Sequence, residues 1–429
     1  MKVISTKAKN GVEGRIRSPP SKSYTHRAIF ASSLASGTSE IEYYLLAGDT
    51  LSTIRACKAY GARIEGLDKV LFVYGVERPK TPENIIDVEN SGTTLRIATS
   101  ILGNTDSGFS ILTGDESIRE RPMQPLIASL SKIGVKVWSA RGNGSAPLIV
   151  RGGGIRGGET EIDGTISSQF ISSILICSPL SKRGVRLEVR EAVSRPYIDS
   201  TVYVLQKFSI RVEREGYSFF EVEPQDYKPC KIKIPGDYSS SSFLIAACAL
   251  AGGRLTIDNL DNSHPQADKA IVDILQRAGI KIKISRNSLL ISSDGSRLRG
   301  FSIDLRDCPD LLPIASVLAL RADSEVKIRG VKHARFKETD RIHTIAKELS
   351  KVGVRVKEFE DGLSIGPTTE FRSAVLNPHK DHRLFMAFLV ASLLDSKVSV
   401  VQSDVSLISY PTFISDIQKI GVSVESREI

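Results

Sequence analysis

Residues 90–104, NSGTTLRIATSILGN, set a polar cluster against an apolar run at helical spacing. The same arrangement is written six times along the chain. The openings are Ser21-Lys22-Ser23, Asn90-Ser91-Gly92, Ser167-Ser168-Gln169, Asp237-Tyr238-Ser239, Asp307-Cys308-Pro309-Asp310 and Lys380-Asp381-His382-Arg383. Matched apolar runs follow, among them FISSILICSP (170–179), FLIAACALAG (243–252) and LFMAFLVASL (384–393). Each unit then reaches a helix-to-strand junction, at Gly61, Gly134, Ser209, Gly279, Gly353 and Gly421. The markers recur about every 70–75 residues, too far apart for a solenoid, so each unit holds several elements of its own.

All six clusters stand where a helix begins. Helix N-termini expose unpaired N–H groups and a partial positive charge, so several aimed at one place form an anion site. Ser and Asp before an apolar run are ordinary N-caps. Capping does not call for the cations Lys22, Arg27, Arg96, Lys380 and Arg383, some of which sit in a first turn and oppose the macrodipole. Anion binding accounts for them.

Between the clusters lie short β-branched runs such as Arg186-Leu187-Glu188-Val189, Lys281-Ile282-Lys283-Ile284 and Val398-Ser399-Val400-Val401, which read as strands. The class is α/β with mixed sheets. A chain of 429 residues, 41% hydrophobic, has room for two cores, and the units divide three and three. The Pro-containing stretch 223–229 marks the break. The first strand, Lys2 to Ser5, precedes the first cluster and is expected to pair with the distal half. The expected domains are therefore residues 21–228, and residues 1–20 with 229–429. The two crossings between them are expected to make a hinge.

A net charge of +9 invites a nucleic-acid reading. However, Lys and Arg are scattered, aromatics are only 6%, and no interleaved stacking strip or binding module is present, so small acidic substrates explain the excess equally well. No stretch approaches a membrane span, and MKVISTKAKN lacks the apolar region of a signal peptide, so a cytoplasmic protein is expected. The five cysteines lack CxxC spacing and read as buried thiols. The turn at 151–158, RGGGIRGG, matches neither a Walker loop nor a dinucleotide fingerprint.

Three more clusters carry more charge than a loop needs: Arg119-Glu120-Arg121-Pro122-Met123, Ser194-Arg195-Pro196-Tyr197-Ile198-Asp199 and Lys337-Glu338-Thr339-Asp340-Arg341. In the last, Lys337 and Arg341 are expected on one helix face with Glu338 alongside, a set able to hold an anion and move a proton, or else a solvated face of ion pairs.

Taken in order over the whole chain, these motifs resemble the 5-enolpyruvylshikimate-3-phosphate synthases. That resemblance implies a two-domain enolpyruvyl transferase fold of six βαβαββ repeats, three per domain, closing on a cleft between the domains. It also implies transfer of the enolpyruvyl group of phosphoenolpyruvate to the 5-hydroxyl of shikimate 3-phosphate with release of phosphate. By resemblance, the shikimate 3-phosphate site is Lys22, Ser23, Arg27, Ser167, Ser168, Gln169, Ser194, Tyr197, Asp310 and Lys337. The phosphoenolpyruvate site is Lys22, Gly92, Arg121, Gln169, Arg341 and Arg383. Catalysis falls to Asp310 as base near the hydroxyl, Glu338 as carrier of the methylene proton, and Lys337 and Lys22 beside them. The residue types suit these roles, since Arg forks match carboxylate and phosphate bidentately and Gly92 lets backbone approach a ligand. No cofactor or metal is implied, nor any nucleic-acid or membrane partner, and a monomer is expected.

Three positions depart from the family's pattern. His26 and His333 stand where Asn is common. Ile408-Ser409-Tyr410-Pro411 replaces a motif whose first residue is lysine, so one expected cation is missing. The sister transferase acting on UDP-N-acetylglucosamine carries a reactive cysteine before its Arg-Pro, and residues 112–125 contain none. A nucleic-acid-binding or RNA-phosphate-processing protein on a related repeat fold fits the charge, but has no need of Ser167-Ser168-Gln169 together with Lys337-Glu338.

Overall fold

The computed structural model describes residues 1–67 and 69–429. The helices are α1 (Lys22–Ser33), α2 (Gly48–Ala59), α3 (Gly92–Leu102), α4 (Gln124–Lys132), α5 (Ser168–Cys177), α6 (Arg195–Lys207), α7 (Tyr238–Ala251), α8 (Ala270–Arg277), α9 (Leu312–Ala319), α10 (Arg341–Lys351), α11 (His382–Ala391) and α12 (Phe413–Lys419). The odd-numbered helices begin at the six polar clusters, α9 after a 3-10 turn at Pro309–Leu311. They are buried nearly all round: every residue of α9 and α11 is buried, as is α7 through Leu250. Even-numbered helices bury one face, as α8 does with Ile271, Val272, Ile274 and Leu275. They end at the six junctions, all with positive φ, from 66° at Ser209 to 113° at Gly61. Glycine takes that left-handed turn without a Cβ penalty, which is why five of the six junctions use it.

Among the described residues the strands form six four-stranded sheets with one shared order. In the clearest, Gly158–Asp163 runs parallel to Val185–Arg190, and Phe219–Val222 pairs antiparallel with both Val185–Arg190 and the outer strand Glu213–Glu215. With α5 and α6 as the two crossovers this is a βαβαββ unit. Three sheets borrow a strand from far away in sequence, and in one of them Val12–Arg17 pairs parallel with Gly253–Asp258. Lys231–Lys233 pairs parallel with Gly37–Glu42, and Lys2–Lys7 lies antiparallel between Val398–Val401 and Ser423–Glu428.

The chain divides into two compact units, Pro20–Pro235 and Met1–Pro19 with Gly236–Ile429. Residue 20 and residues 229–235, expected in the second domain, lie with the first unit. For 229–235 the reason is the pairing of Lys231–Lys233 with Gly37–Glu42, which closes a sheet of that unit. Among the described residues no helix is long and apolar enough to cross a membrane.

Candidate active site

In the unit Pro20–Pro235, Lys22 is the first residue of α1, and its Nζ lies 2.6 Å from Oδ2 of Asp49 on α2. The Asp49 side chain is buried, and among the described residues its Oδ1 has no hydrogen-bond partner. Arg27, one turn beyond Ser23, is also buried. Its Nε donates to Thr201 Oγ1 at 2.7 Å, Nη1 to the Ser23 carbonyl at 2.9 Å, and Nη2 to the Tyr197 carbonyl at 3.0 Å and to Ser172 Oγ at 3.3 Å. These partners are neutral, and burial pushes the guanidinium down to about 10. Arg27 thus ties together the starts of α1 and α6, while its charge is left for an anion to balance. At the start of α6, Ser194 holds the left-handed conformation, φ 54° and ψ 40°.

A second cluster of the same unit surrounds the start of α3. A Cβ placed on Gly92 would stand 2.8 Å from Arg121 Nη1 and 3.3 Å from Arg96 Nη1. Two guanidinium groups therefore converge on a helix N-terminus, an arrangement suited to holding an anion. Arg96 Nη1 donates to Gln169 Oε1 at 2.5 Å, and Arg121 is held by Ser117 Oγ at 3.0 and 3.2 Å. Ser167 caps α5 by accepting from the Gln169 N–H, and Ser168 is buried behind it. His26 is linked through its Nδ1 to Thr53, Thr53 to Thr94 and Thr94 to Ser91, each at 2.6 Å, so α1, α2 and the Gly92 helix start are bound by one hydroxyl chain. Burial, then the charges of Lys22 and Arg27, push His26 well below its usual value and keep it neutral.

The unit containing Gly236–Ile429 gathers the remaining groups around one guanidinium. Arg341, 1% exposed, donates from Nε to Asp381 Oδ2 at 2.7 Å, from Nη2 to Glu338 Oε2 at 2.7 Å and from Nη1 to Asp310 Oδ1 at 3.0 Å. Asp310 also faces Lys337 Nζ at 3.6 Å and Arg383 Nη2 at 2.9 Å, so one carboxylate answers three cations. Arg383 Nη1 donates to Ser239 Oγ at 2.6 Å. Burial alone lowers the Arg341 pKa, but Asp381, Glu338 and Asp310 together outweigh it and hold the group above its ordinary value.

The segment Lys337–Arg341 is not one helix face. Lys337, Glu338 and Thr339 form a bend, and α10 starts only at Arg341 because Asp340 takes the N-cap, accepting from the His343 N–H at 3.0 Å. The bend still brings Glu338 onto Arg341 and Lys337 towards Asp310. Two carboxyl groups escaped the sequence reading. Asp49 looks like an ordinary first-turn acid of α2. Asp268 lies in the 3-10 turn Ala267–Lys269, fixed to the start of α7 by Gln266, which accepts from Tyr238 N at 3.0 Å and donates to the Gly236 carbonyl at 2.8 Å. Burial, then Asp310, push the Asp268 carboxyl up to about 6. No local motif marks either residue; only tertiary packing does. His333 is buried and pushed down to about 3 by burial and Lys337. Ile408 is half-buried in the 3-10 turn Val405–Ile408, which packs against α11. All five cysteines are free, and burial pushes Cys57, Cys177 and Cys248 up to about 12, as expected of structural thiols.

The family model described as EPSP synthase (3-phosphoshikimate 1-carboxyvinyltransferase) matches residues 6–417. A relative from Methanobrevibacter smithii, named 3-phosphoshikimate 1-carboxyvinyltransferase, is 44% identical over 440 residues, covering 98% of this chain and 99% of its own. One of the same name from Methanocaldococcus jannaschii is 41% identical over 432 residues, covering 100% of both. In fold, the chain is similar to the solved EPSP synthase of Acinetobacter baumannii, with a TM-score of 0.83, 24% identity and 100% of both chains covered.

Proposed function

The chain belongs to the EPSP synthase family, and from that premise we propose a role for each side chain gathered in its two units. The protein transfers the enolpyruvyl group of phosphoenolpyruvate to the 5-hydroxyl of shikimate 3-phosphate, in the shikimate pathway to chorismate and aromatic amino acids. Neither the UDP-N-acetylglucosamine transferase reading nor the nucleic-acid reading is favoured by relatives of this name.

One observation carries the residue roles: a single buried guanidinium, Arg341, touches both carboxylates that the chemistry needs, Glu338 and Asp310. Asp310 accepts the proton of the 5-hydroxyl as its oxygen bonds to C2 of phosphoenolpyruvate, while Glu338 gives a proton to the methylene carbon. Glu338 then takes a proton back from the new methyl group as the bond to the phosphate oxygen breaks and phosphate leaves. Lys22, Gly92, Arg121, Gln169, Arg341 and Arg383 hold phosphoenolpyruvate. Ser23, Arg27, Ser167, Ser168, Ser194 and Tyr197, with Lys22, Gln169, Asp310 and Lys337, hold shikimate 3-phosphate. A substrate anion arriving at Arg383 competes with Asp310 for that guanidinium, and so leaves the carboxylate freer to accept the hydroxyl proton. The proposal includes a cytoplasmic location, in keeping with a small-molecule biosynthetic reaction. Phosphate release on mixing the protein with both substrates tests the reaction; release from phosphoenolpyruvate alone, or none with both, would overturn it.

Two substitutions probe the phosphoenolpyruvate arm. Gly92→Ala puts a methyl group 2.8 Å from Arg121 Nη1, so that guanidinium must move. The expected result is a rise of about tenfold, ~1.4 kcal/mol, in KM for phosphoenolpyruvate, with KM for shikimate 3-phosphate nearly constant. Equal rises in both would remove Gly92 from that arm. Ile408→Lys adds a cation on the turn packed against α11. A charge-assisted contact of roughly 1.5–3 kcal/mol predicts a fall in the same KM of about tenfold or more, and an unchanged KM would show that the position does not face the substrate.

A further inference from the structure

Glu348 is a completely buried carboxylate that none of the chemistry above uses. It lies on α10 two turns beyond Arg341, hence on the same side of the helix. Its Oε2 accepts from the backbone N–H of Asn377 at 2.8 Å and from Lys351 Nζ at 2.6 Å, and its Oε1 meets His379 Nε2 at 3.2 Å. Burial raises the carboxyl, but hydrogen bonds from Lys351, the Asn377 N–H and His379 outweigh that and hold it below its usual range. It is therefore a charged group, satisfied largely by the segment it grips.

That segment ends at the active site. After Asn377 the chain passes through His379 and Lys380, both left-handed at φ 48° and 63°, although neither is glycine. Such conformations persist only where the surroundings impose them. The next residue, Asp381, caps α11 through the N–H groups of Arg383 and Leu384 and receives Arg341 Nε at 2.7 Å. Helix α10 thus holds the segment at two points, Glu348 at its beginning and Arg341 at its end. Arg383, two residues further on, places its guanidinium on Asp310.

We propose that Glu348 is a positioning residue for the phosphoenolpyruvate arm, setting Asp381 and Arg383 in place through the strained turn at His379 and Lys380. The proposal rests on the reading of Arg383 as a phosphoenolpyruvate ligand. It accounts for the site of the buried charge: a carboxylate needed only for core stability has no reason to spend its oxygens on the backbone and ring of a turn leading into the catalytic cluster.

Full-length Glu348→Ala, Glu348→Gln and His379→Ala are compared by steady-state phosphate release with each substrate varied in turn, with melting temperature read alongside. For Glu348→Ala the expected result is a rise of about tenfold or more in KM for phosphoenolpyruvate, because small misplacements of a binding group cost binding steeply, with KM for shikimate 3-phosphate changed less than about twofold. Glu348→Gln keeps an acceptor for the Asn377 N–H and should recover part of the loss. His379→Ala leaves the buried carboxylate in place and gives a smaller rise, about threefold, even if Glu348→Ala does not fold. A lower melting temperature with both KM values unchanged in the soluble variants, or equal rises in both, would overturn the proposal. Arg383→Gln is the control: if it leaves the phosphoenolpyruvate KM unaltered, the ligand reading of Arg383 fails, whereas a large rise there with none at Glu348 or His379 sinks only the positioning role.

Discussion

Glu338→Gln is expected to lower turnover by about two orders of magnitude or more, with both KM values within a few-fold of the parent protein. The amide keeps the shape of the carboxylate and an oxygen for Arg341 Nη2, which stands 2.7 Å away, so the local packing survives. On the proposed role, what is lost is the ability to hand a proton to the methylene carbon and take one back. General acid–base groups of this kind contribute about 10²–10⁴-fold. Asp310→Asn should fall comparably in turnover, but with a different signature. Asp310 occupies Arg341, Arg383 and Lys337 at once, and an amide releases part of that hold, so KM for phosphoenolpyruvate should stay level or fall as turnover collapses. Phosphate release under saturating substrates reads both variants. Near-normal turnover in Glu338→Gln would remove it from the proton path.

The contrast between these two carboxylates also shows what a sequence can carry. The six helix starts and the six left-handed junctions are local events, each written within a few residues as polar caps, apolar runs and a terminal glycine, and each is found where those signals lie. Ser209 at one junction shows that the backbone turn persists even where the residue is not glycine. Strand exchange is not local. Nothing near Lys231–Lys233 says that it completes the sheet of Gly37–Glu42, and the Pro-containing stretch before it suggested a boundary too early. The segment Lys337–Arg341 failed for a local reason: charge spacing alone suited a helix face, but Asp340 was available to cap and started the helix after it. The partners of the site, Asp49 for Lys22 and Asp268 beside Arg383, come from other elements and have no periodic signature, so only packing reveals them.

Arg341→Met should produce the largest loss of stability of any single change at this site. The guanidinium is 1% exposed and is the buried counter-charge to Asp381, which is fully buried. Methionine fills the apolar volume of the arginine stem but leaves Asp381 without a buried counter-charge, held by its cap hydrogen bonds from Arg383 N and Leu384 N and a long one from Thr339 Oγ1 at 3.5 Å. Breaking a buried pair in this way costs about 3–5 kcal/mol, because the remaining charge is desolvated without compensation. In a unit of this size that corresponds to a fall of roughly 10 °C in melting temperature. A mere lack of substrate contact would not move the melting temperature at all, so the two roles of Arg341 can be separated. Replacing its partner as well, in Arg341→Met with Asp381→Asn, removes the orphaned charge and should restore a substantial part of the lost stability, giving a coupling energy of about 1–3 kcal/mol in the double-mutant cycle. Turnover should not return with it, since Glu338 and Asp310 still lack the guanidinium that holds them together. A double variant that regained both stability and activity would show that Arg341 serves the fold alone, and an Arg341→Met protein with an unchanged melting temperature would show that Asp381 does not depend on it.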